Sequence, residues 1–257
     1  MLFHLGVFQL DTDSEHQTFW HSLTAPARLL IILVLLLGIV LTPNGYWYNW
    51  LVYGLVIIGL VAIAQVRINT LVRRVALESI FLSVVLIGTL FRQDGEVVWS
   101  WGWLQVTGTG LMILGSVSIK AFLSLILLNL LTMTTSIPDL LNGLLVLRTP
   151  PLLVAIMVSM YRYISVLIKE FQAMQRAAAA RNFRGSSNWQ RLVLGNMLGS
   201  LFIRTYDRGE RIYQAMLARG YQGIPTQSVA TKFTPRDKKI ITFTLILVLL
   251  EKATLLL

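Results

Sequence analysis

The sequence contains no cysteine, and this absence removes several kinds of chemistry. None of its 257 residues forms a disulfide, offers a thiolate to a metal or acts as a cysteine nucleophile. The chain also lacks the phosphate-binding motif GxxxxGK[ST] and the GxSxG motif of serine hydrolases. We therefore expect no catalytic activity and no cofactor in this chain.

Charged residues are scarce. They make up 13% of the chain, whereas 55% of the residues are hydrophobic and the mean hydropathy is +0.68. Such a composition is typical of membrane proteins. The net charge of +10 suits cytoplasmic loops that lie against an anionic bilayer leaflet. A nucleic acid would also attract this charge, but the arginines are interleaved with runs apolar enough for lipid. We expect the lipid bilayer as a partner and no nucleic acid.

The apolar runs predict an all-α integral membrane protein with about five transmembrane helices and long cytoplasmic amphipathic helices that cross each other. A helix needs about 20 apolar residues to cross the hydrocarbon. Four runs of about this length lie within residues 23–135, at about 23–41, 51–66, 75–91 and 106–133. Residues 1–22 are predicted as a cytoplasmic lead, 136–235 as the cytoplasmic helices and 236–257 as the final transmembrane helix. We expect Glu251 and Lys252, near its outer end, to reach the membrane surface.

The arginines predict the orientation. Arg67, Arg73 and Arg74 lie in a short loop after the second run, and arginine accumulates in cytoplasmic loops. The connector 42–50, rich in Tyr and Trp, is then outside and the N-terminus is cytoplasmic. Residues 1–10 carry no Lys or Arg, which argues against a cleaved signal peptide. The chain is thus predicted to cross the membrane several times with its N-terminus inside.

Two ionisable residues fall inside apolar runs. Glu78 lies one turn into the third run and Lys120 lies deep in the fourth. Charged groups at membrane depth are costly and are functional candidates by default. Glu78 has a second interpretation, the neutralisation of Arg73 and Arg74 at the interface. We predict that Lys120 faces protein rather than lipid.

The N-terminal lead contains metal-ligand residue types. Its three histidines stand near acidic residues, as His4, Asp11, Asp13, Glu15, His16 and His21. The spacing matches no metal-binding motif. A short amphipathic segment on the membrane surface is the favoured interpretation, and we predict no metal site.

Two long amphipathic helices are predicted in the cytoplasmic region, after a short helix over 138–147 that Ser136 caps. The first begins at Pro151, where Met157, Tyr161 and Ile164 start an apolar stripe at steps of three and four, so we predict a surface helix rather than a span. The second runs from about Trp189 to Arg219.

Small residues predict where these two helices cross. Gly195 and Gly199 form a GxxxG motif, which lets another helix approach closely. Glycine in a helix interior costs about 0.5 to 1 kcal/mol relative to alanine, so its presence favours a packing role. The alanines at 177–180 provide small residues on the earlier helix. We predict that the helices cross at Gly195 and Gly199.

Both helices end in alanine followed by arginine, as Ala180-Arg181-Asn182 and Ala218-Arg219-Gly220. The helix dipole favours a cation at this end, and Gly220 is suited to the left-handed turn that stops a helix. A guanidinium at a helix tip also fits a carboxylate-lined groove on another protein. The repetition favours this second role for Arg181 and Arg219.

The sequence here resembles the transmembrane T component of energy-coupling factor (ECF) transporters, most closely the cobalt and nickel, CbiQ-like branch. The resemblance covers nearly the whole chain and is most specific over residues 201–223, which include Ala215-Met-Leu-Ala-Arg-Gly-Tyr-Gln-Gly223. Asn182 stands where the family usually has glycine, but asparagine also tolerates the left-handed conformation. The segment Leu23-Thr-Ala-Pro-Ala-Arg28 only loosely matches the family's Asp-Pro-containing segment.

The resemblance implies a scaffold that transmits the ATP-driven motion of two cytoplasmic ATP-binding subunits to a separate substrate-binding membrane subunit, the S subunit, for cobalt or nickel uptake. ATP would be bound by the ATPase subunits. The ATPase-binding residues it implies are Arg181 and Arg219 with their neighbours Ala180, Ala218, Gly220 and Met216. Three alternatives remain: a T component for a vitamin, a self-contained carrier or channel using Glu78 and Lys120, and a membrane enzyme using the N-terminal histidines.

Overall fold

The computed structural model describes residues 18–90, 97–101, 104–181, 187–221 and 233–254. Its elements are α1 (Ala25–Leu41), α2 (Trp47–Ala64), α3 (Ile68–Leu90), β1 (Val97–Trp101), β2 (Leu104–Thr107), α4 (Gly108–Thr134), α5 (Ile137–Val146), α6 (Pro151–Ala180), α7 (Ser187–Ala218) and α8 (Pro235–Ala253). The predicted all-α membrane fold is confirmed. Strands β1 and β2, which pair antiparallel, are a small addition that the sequence did not predict.

The chain divides into two compact units. The first, the bundle unit, comprises Met1–Val146 and Thr231–Leu257; the second, the helix-pair unit, comprises Leu147–Ala230. The predicted cytoplasmic region began at residue 136. Helix α5 instead belongs to the bundle unit, because it packs against α1.

The bundle unit is organised around α1. This helix contacts α4, α5 and α8, and α4 in turn contacts α2 and α3. The core joins α1, α2 and α4 through buried side chains that include Ile32, Leu35, Ile39, Tyr53, Ile57, Leu127 and Leu130. Large apolar residues on the opposite faces, such as Leu37 and Leu55, are exposed. Exposed leucines around a packed core are what a bilayer-facing surface requires.

Three of the described helices are long and apolar enough to cross a membrane: α2, α4 and α6. Helices α2 and α4 correspond to predicted spans. Helix α1 is apolar but has 17 residues, which give a length of about 26 Å. Helix α6, which the sequence predicts as a surface helix, also meets these criteria, which concern length and composition alone. Its first part carries only Arg162 before Lys169 and Glu170, so the apolar window lies there.

Helix α5 begins as the sequence predicts. The backbone N–H of Asp139 donates to the Ser136 hydroxyl at 3.3 Å, and that hydroxyl donates back to the Asp139 carboxylate. The side-chain cap satisfies an N–H that a helix start otherwise leaves without a partner. The predicted capping by Ser136 is confirmed, with the helix bounds shifted by one residue.

Candidate partner-docking site

Helices α6 and α7 form an antiparallel pair with a groove toward each end. At one end, Ala177 and Ala178 of α6 and Val193 and Met197 of α7 line a groove of about 710 Å³. At the other end, the first half of α6 and the last turns of α7 line a groove of about 810 Å³. Between the grooves, Arg208 of α7 pairs with Glu170 of α6 at 3.4 Å.

The end of α7 carries the second arginine of the sequence motif. Gly220 has φ of +81°, a conformation that costs glycine nothing and side-chain-bearing residues about 1 to 2 kcal/mol. The N–H of Tyr221 donates to the Met216 carbonyl at 3.0 Å, and the N–H of Gly220 donates to the Leu217 carbonyl at 2.9 Å. This pair of bonds is a Schellman motif. The predicted helix-ending role of Gly220 is confirmed, and Arg219 lies exposed immediately before it.

The end of α6 is built differently. Arg181 caps the helix with φ of −86°, and its backbone N–H donates to the Ala177 carbonyl at 3.3 Å. The side chain is exposed and lines the groove that also contains Arg204. The predicted left-handed turn at Asn182 lies outside the described residues. So do residues 222 and 223 at the end of the second motif.

Arg181 and Arg219 are far apart. Arg181 lines the same groove as Val193, near the start of α7, whereas Arg219 follows the last residue of that helix. Twenty-six residues of helix separate Val193 from Arg219, which corresponds to about 39 Å. The structure therefore offers two separate cationic contacts, one at each end of the helix pair.

The predicted crossing at Gly195 and Gly199 is wrong for α6. A Cβ added to either glycine would meet no heavy atom within 4 Å among the described residues. The side of α7 that faces α6 carries Val193, Met197 and Ser200. Because each helical residue turns by about 100°, positions two residues away point to the opposite side. The alanines at 177 and 178 do face α7.

Met216 and its surroundings form the apolar end of the pair. Met216, Leu217 and Tyr213 of α7 face Ile156 and Met160 of α6 across the larger groove. Most of these side chains are exposed on the isolated chain. Flexible methionine side chains suit a surface that adapts to a partner.

Lys120 faces protein, as predicted. Its ammonium group donates to the Asn44 side chain at 3.0 Å and lies 5.3 Å from the centre of the Trp50 ring. Trp50 is buried in the core. A cation over an aromatic face is stabilised by the ring quadrupole.

Glu78 lies elsewhere. Its carboxylate accepts a 2.8 Å hydrogen bond from the buried Asn129 side chain. Asn129 and Lys120 are nine residues apart on α4, or about 14 Å along the helix. The structure does not bring Glu78 and Lys120 together. A carrier or channel built on this pair therefore has no support from the geometry.

Glu251 is buried, although its place near the end of the last helix predicted a position at the membrane surface. It is 7% exposed, and its carboxylate accepts hydrogen bonds from Asn49 and Tyr53 of α2. The prediction that it reaches the membrane surface is wrong, because these donors hold it inside the bundle. The spacing within α8 is consistent with this burial, because Thr244, Val248 and Glu251 follow one another at steps of four and three and share one buried face.

The described part of the lead segment contacts the first turn of α1. Arg28 donates from Nη2 to the His21 carbonyl at 2.7 Å and from Nε to the Leu23 carbonyl at 3.0 Å. Within the described ranges no group of three His, Cys, Asp or Glu residues surrounds a metal-sized space. His4, His16 and the neighbouring acidic residues lie outside those ranges.

Comparison with known proteins identifies one matching family and several relatives that are named as transport proteins. The family model for the cobalt transport protein CbiQ matches residues 16–231. The energy-coupling factor transporter transmembrane protein EcfT of Brevibacillus brevis is 29% identical over 247 residues, covering 91% of this chain and 92% of that protein. The protein of the same name from Lacticaseibacillus paracasei is 26% identical over 216 residues, with 79% and 81% coverage. A putative fused cobalt transport protein CbiMQ of Methanocorpusculum labreanum is 35% identical over 121 residues, which are 46% of this chain and 20% of that protein.

Proposed function

Because the chain belongs to the CbiQ family of cobalt transport proteins, a membrane component of transporters, we propose that it is the transmembrane coupling subunit of an ECF-type importer. In this role it binds no substrate and hydrolyses no ATP. It transmits the motion of two cytoplasmic ATP-binding subunits to a separate substrate-binding membrane subunit. Its relatives named EcfT are themselves transporter transmembrane proteins rather than enzymes.

One observation carries this proposal: two exposed arginines stand at opposite ends of a single helix pair. Arg181 and Arg219 are about 40 Å apart by helix length, which is too far for one small groove and suits one contact on each of two ATPase subunits. Ala180 and Ala218, which precede the two arginines, are also exposed. A planar guanidinium binds a carboxylate through two parallel hydrogen bonds, which gives such a contact both strength and direction.

The neighbouring residues support the second contact. Gly220 and its two backbone hydrogen bonds end α7 immediately after Arg219, so the arginine stands on a rigid helix end rather than on a flexible tail. Met216 adds an adaptable apolar surface one turn earlier. An arginine beside an apolar anchor is a common composition of interface hot spots.

Charge reversal tests the proposal. The double variant Arg181→Glu, Arg219→Glu is purified in detergent with the ATPase subunits of its own transporter, and the ATPase that copurifies is quantified. We expect the double variant to lose the ATPase subunits. Lys169→Glu, Arg211→Glu is the matched control, because both side chains are exposed on α6 and α7 and lie at least seven residues from either end of their helix. ATPase retained by the double variant would contradict the proposal.

Cobalt or nickel is the proposed cargo; the matched family and the fused relative carry cobalt in their names. A vitamin is the alternative cargo, because the names of the EcfT relatives specify no substrate. Uptake of Co²⁺, Ni²⁺ and vitamins by cells that express the complete transporter discriminates between them. Co²⁺ or Ni²⁺ uptake that depends on this chain supports the first assignment, and vitamin uptake alone supports the second.

A bacterial inner membrane with the N-terminus in the cytoplasm is the proposed setting. Arg67 and Arg73 are exposed at the α2–α3 connection. Arginine-rich connections of this length face the cytoplasm. The proposed ATPase subunits are cytoplasmic, so the parts of α6 and α7 that bind them must also lie on the cytoplasmic side of the membrane.

A further inference from the structure

The chain joins the two units at two points, after Val146 and before Thr231. The bundle-unit helices nearest to these points are α5, which ends at Val146, and α8, which begins at Pro235. Both helices pack against α1. Each of them contacts the first turn of α1.

Asp237 attaches the start of α8 to the start of α1. Its carboxylate is fully buried and accepts a 2.8 Å hydrogen bond from the Thr24 hydroxyl. The same carboxylate accepts a 2.8 Å bond from the backbone N–H of Thr234, which completes the capping box of α8. One side chain therefore caps α8 and ties it to the residue that precedes α1.

Gly143 attaches α5 to the same turn. A Cβ added at Gly143 would lie 3.3 Å from the backbone N and Cα of Pro26, so the backbones of α5 and α1 are already close. Arg28 extends this contact to the chain just before α5, because its Nη1 donates to the Thr134 carbonyl. The first turn of α1 thus holds the bundle-side ends of both chain connections.

We propose that residues 24–28, at the start of α1, form the joint through which movement of α6 and α7 reaches the membrane helices. The inference rests on the proposed coupling function and assigns it a place in this chain. A displacement of the helix-pair unit reaches α5 through the short connection 147–150, and α8 is held to the same turn of α1 by Asp237. Because Asp237 is buried and Gly143 is packed against backbone, these helices carry α1 with them instead of slipping past it.

The opposite end of α1 provides a matched control. Thr42 directly follows α1, is buried and contacts the end of α8, with its hydroxyl 3.5 Å from the Glu251 carboxylate. The Thr42 hydroxyl also accepts a 2.7 Å hydrogen bond from Lys252, so each threonine joins α1 to α8, one at each end of α1. Only Thr24 lies at the end where the chain connects to the helix-pair unit.

The absence of cysteine permits a readout that needs no transported substrate. Leu37 lies on α1 and is exposed, so Leu37→Cys carries a nitroxide spin label there. The labelled chain is assembled with its ATPase subunits in lipid nanodiscs, and the label spectrum is recorded with and without ATP. We expect an ATP-dependent change in the otherwise unaltered chain and in Thr42→Val. In Thr24→Val we expect this change to be lost while ATP hydrolysis continues, and in Thr24→Ser, which keeps the hydroxyl, we expect it to return.

Three results would overturn the joint. The first is a label spectrum of the Leu37→Cys chain that does not change with ATP. The second is an ATP-dependent change that persists when Thr24→Val is added, and the third is an equal loss of the change with Thr42→Val. The third result would mean that the change depends on contact between α1 and α8 at either end, and not on the turn at residues 24–28. Each leaves the coupling function standing as long as the ATPase subunits remain bound. An unaltered chain that binds no ATPase subunit would instead refute the coupling function, and the joint with it.

Discussion

The Tyr53 hydroxyl donates a 2.6 Å hydrogen bond to the Glu251 carboxylate and thereby joins α2 to the end of α8 inside the bundle. The same carboxylate accepts from Asn49 and lies 3.4 Å from the Lys252 ammonium group. Lys252 also donates to Thr42 at 2.7 Å. Buried polar clusters of this kind are stabilising only while every member is satisfied.

Replacing Glu251 by alanine tests this dependence. The variant leaves the buried Asn49 and Tyr53 donors without their acceptor and removes the carboxylate partner of Lys252, which keeps its hydrogen bond to Thr42. Removing one partner of a buried ion pair costs about 3 to 5 kcal/mol, so we expect a clearly lower thermal unfolding temperature in detergent. Glu210→Ala is the control, because Glu210 is exposed on α7. Equal unfolding temperatures for the two variants would contradict this description of the cluster.

The absence of a side chain at Gly38 leaves room for the Tyr53 hydroxyl. A Cβ at position 38 would lie 2.5 Å from that oxygen, and the hydrogen bond to Glu251 prevents the ring from moving away. We expect Gly38→Ala to destabilise the fold by about 1 to 3 kcal/mol. Gly59→Ala in α2 is the control, since no heavy atom of the residues that the structure describes lies within 4 Å of its added Cβ. In α2 the alanine should stabilise by up to about 1 kcal/mol. Thermal unfolding of both variants checks the opposite signs.

Gly220→Ala is expected to weaken both α7 and the proposed partner contact. Alanine in the left-handed conformation costs about 1 to 2 kcal/mol, so the last turn should unwind and Arg219 should lose its fixed direction. ATPase capture should therefore fall, while Gly209→Ala should leave it unchanged, because Gly209 has no close neighbour among the described residues. Capture that is equally strong for Gly220→Ala and the unaltered chain would show that the helix end does not orient the arginine.

The orientation is testable with single cysteines. Asn44 and Arg73 are both exposed and lie at opposite ends of the bundle helices. A membrane-impermeant thiol reagent added to intact cells should label Asn44→Cys and spare Arg73→Cys. In inverted membrane vesicles the pattern should reverse. The opposite result in both preparations would place the N-terminus outside.

Features fixed by neighbouring residues were predictable from the sequence. The Ser136 cap, the Gly220 turn and the apolar runs that became α2 and α4 depend on residues within a few positions of one another. Local hydrogen bonding and hydrophobic length determine them without reference to the rest of the chain.

Features that depend on distant partners were not predictable in the same way. The GxxxG of Gly195 and Gly199 identified a small-residue face but not what covers it, and within this chain α6 packs on the other side of α7. The environment of Glu251 depends on Asn49, 202 residues away. Spacing within α8 locates the buried face, but only the fold supplies the hydrogen-bond donors.

The pairing of α1 with α8 also has a consequence for biosynthesis. The Thr24–Asp237 contact spans 213 residues, and the Glu251 carboxylate reaches Thr42 and Tyr53 only once α8 has been made. Until then the nascent bundle presents Asn49 and Tyr53 to the bilayer without their acceptor, a state that hydrocarbon disfavours. Insertion of α8 is thus the step that completes the membrane core, and chains arrested before residue 237 should be selectively exposed to membrane proteases.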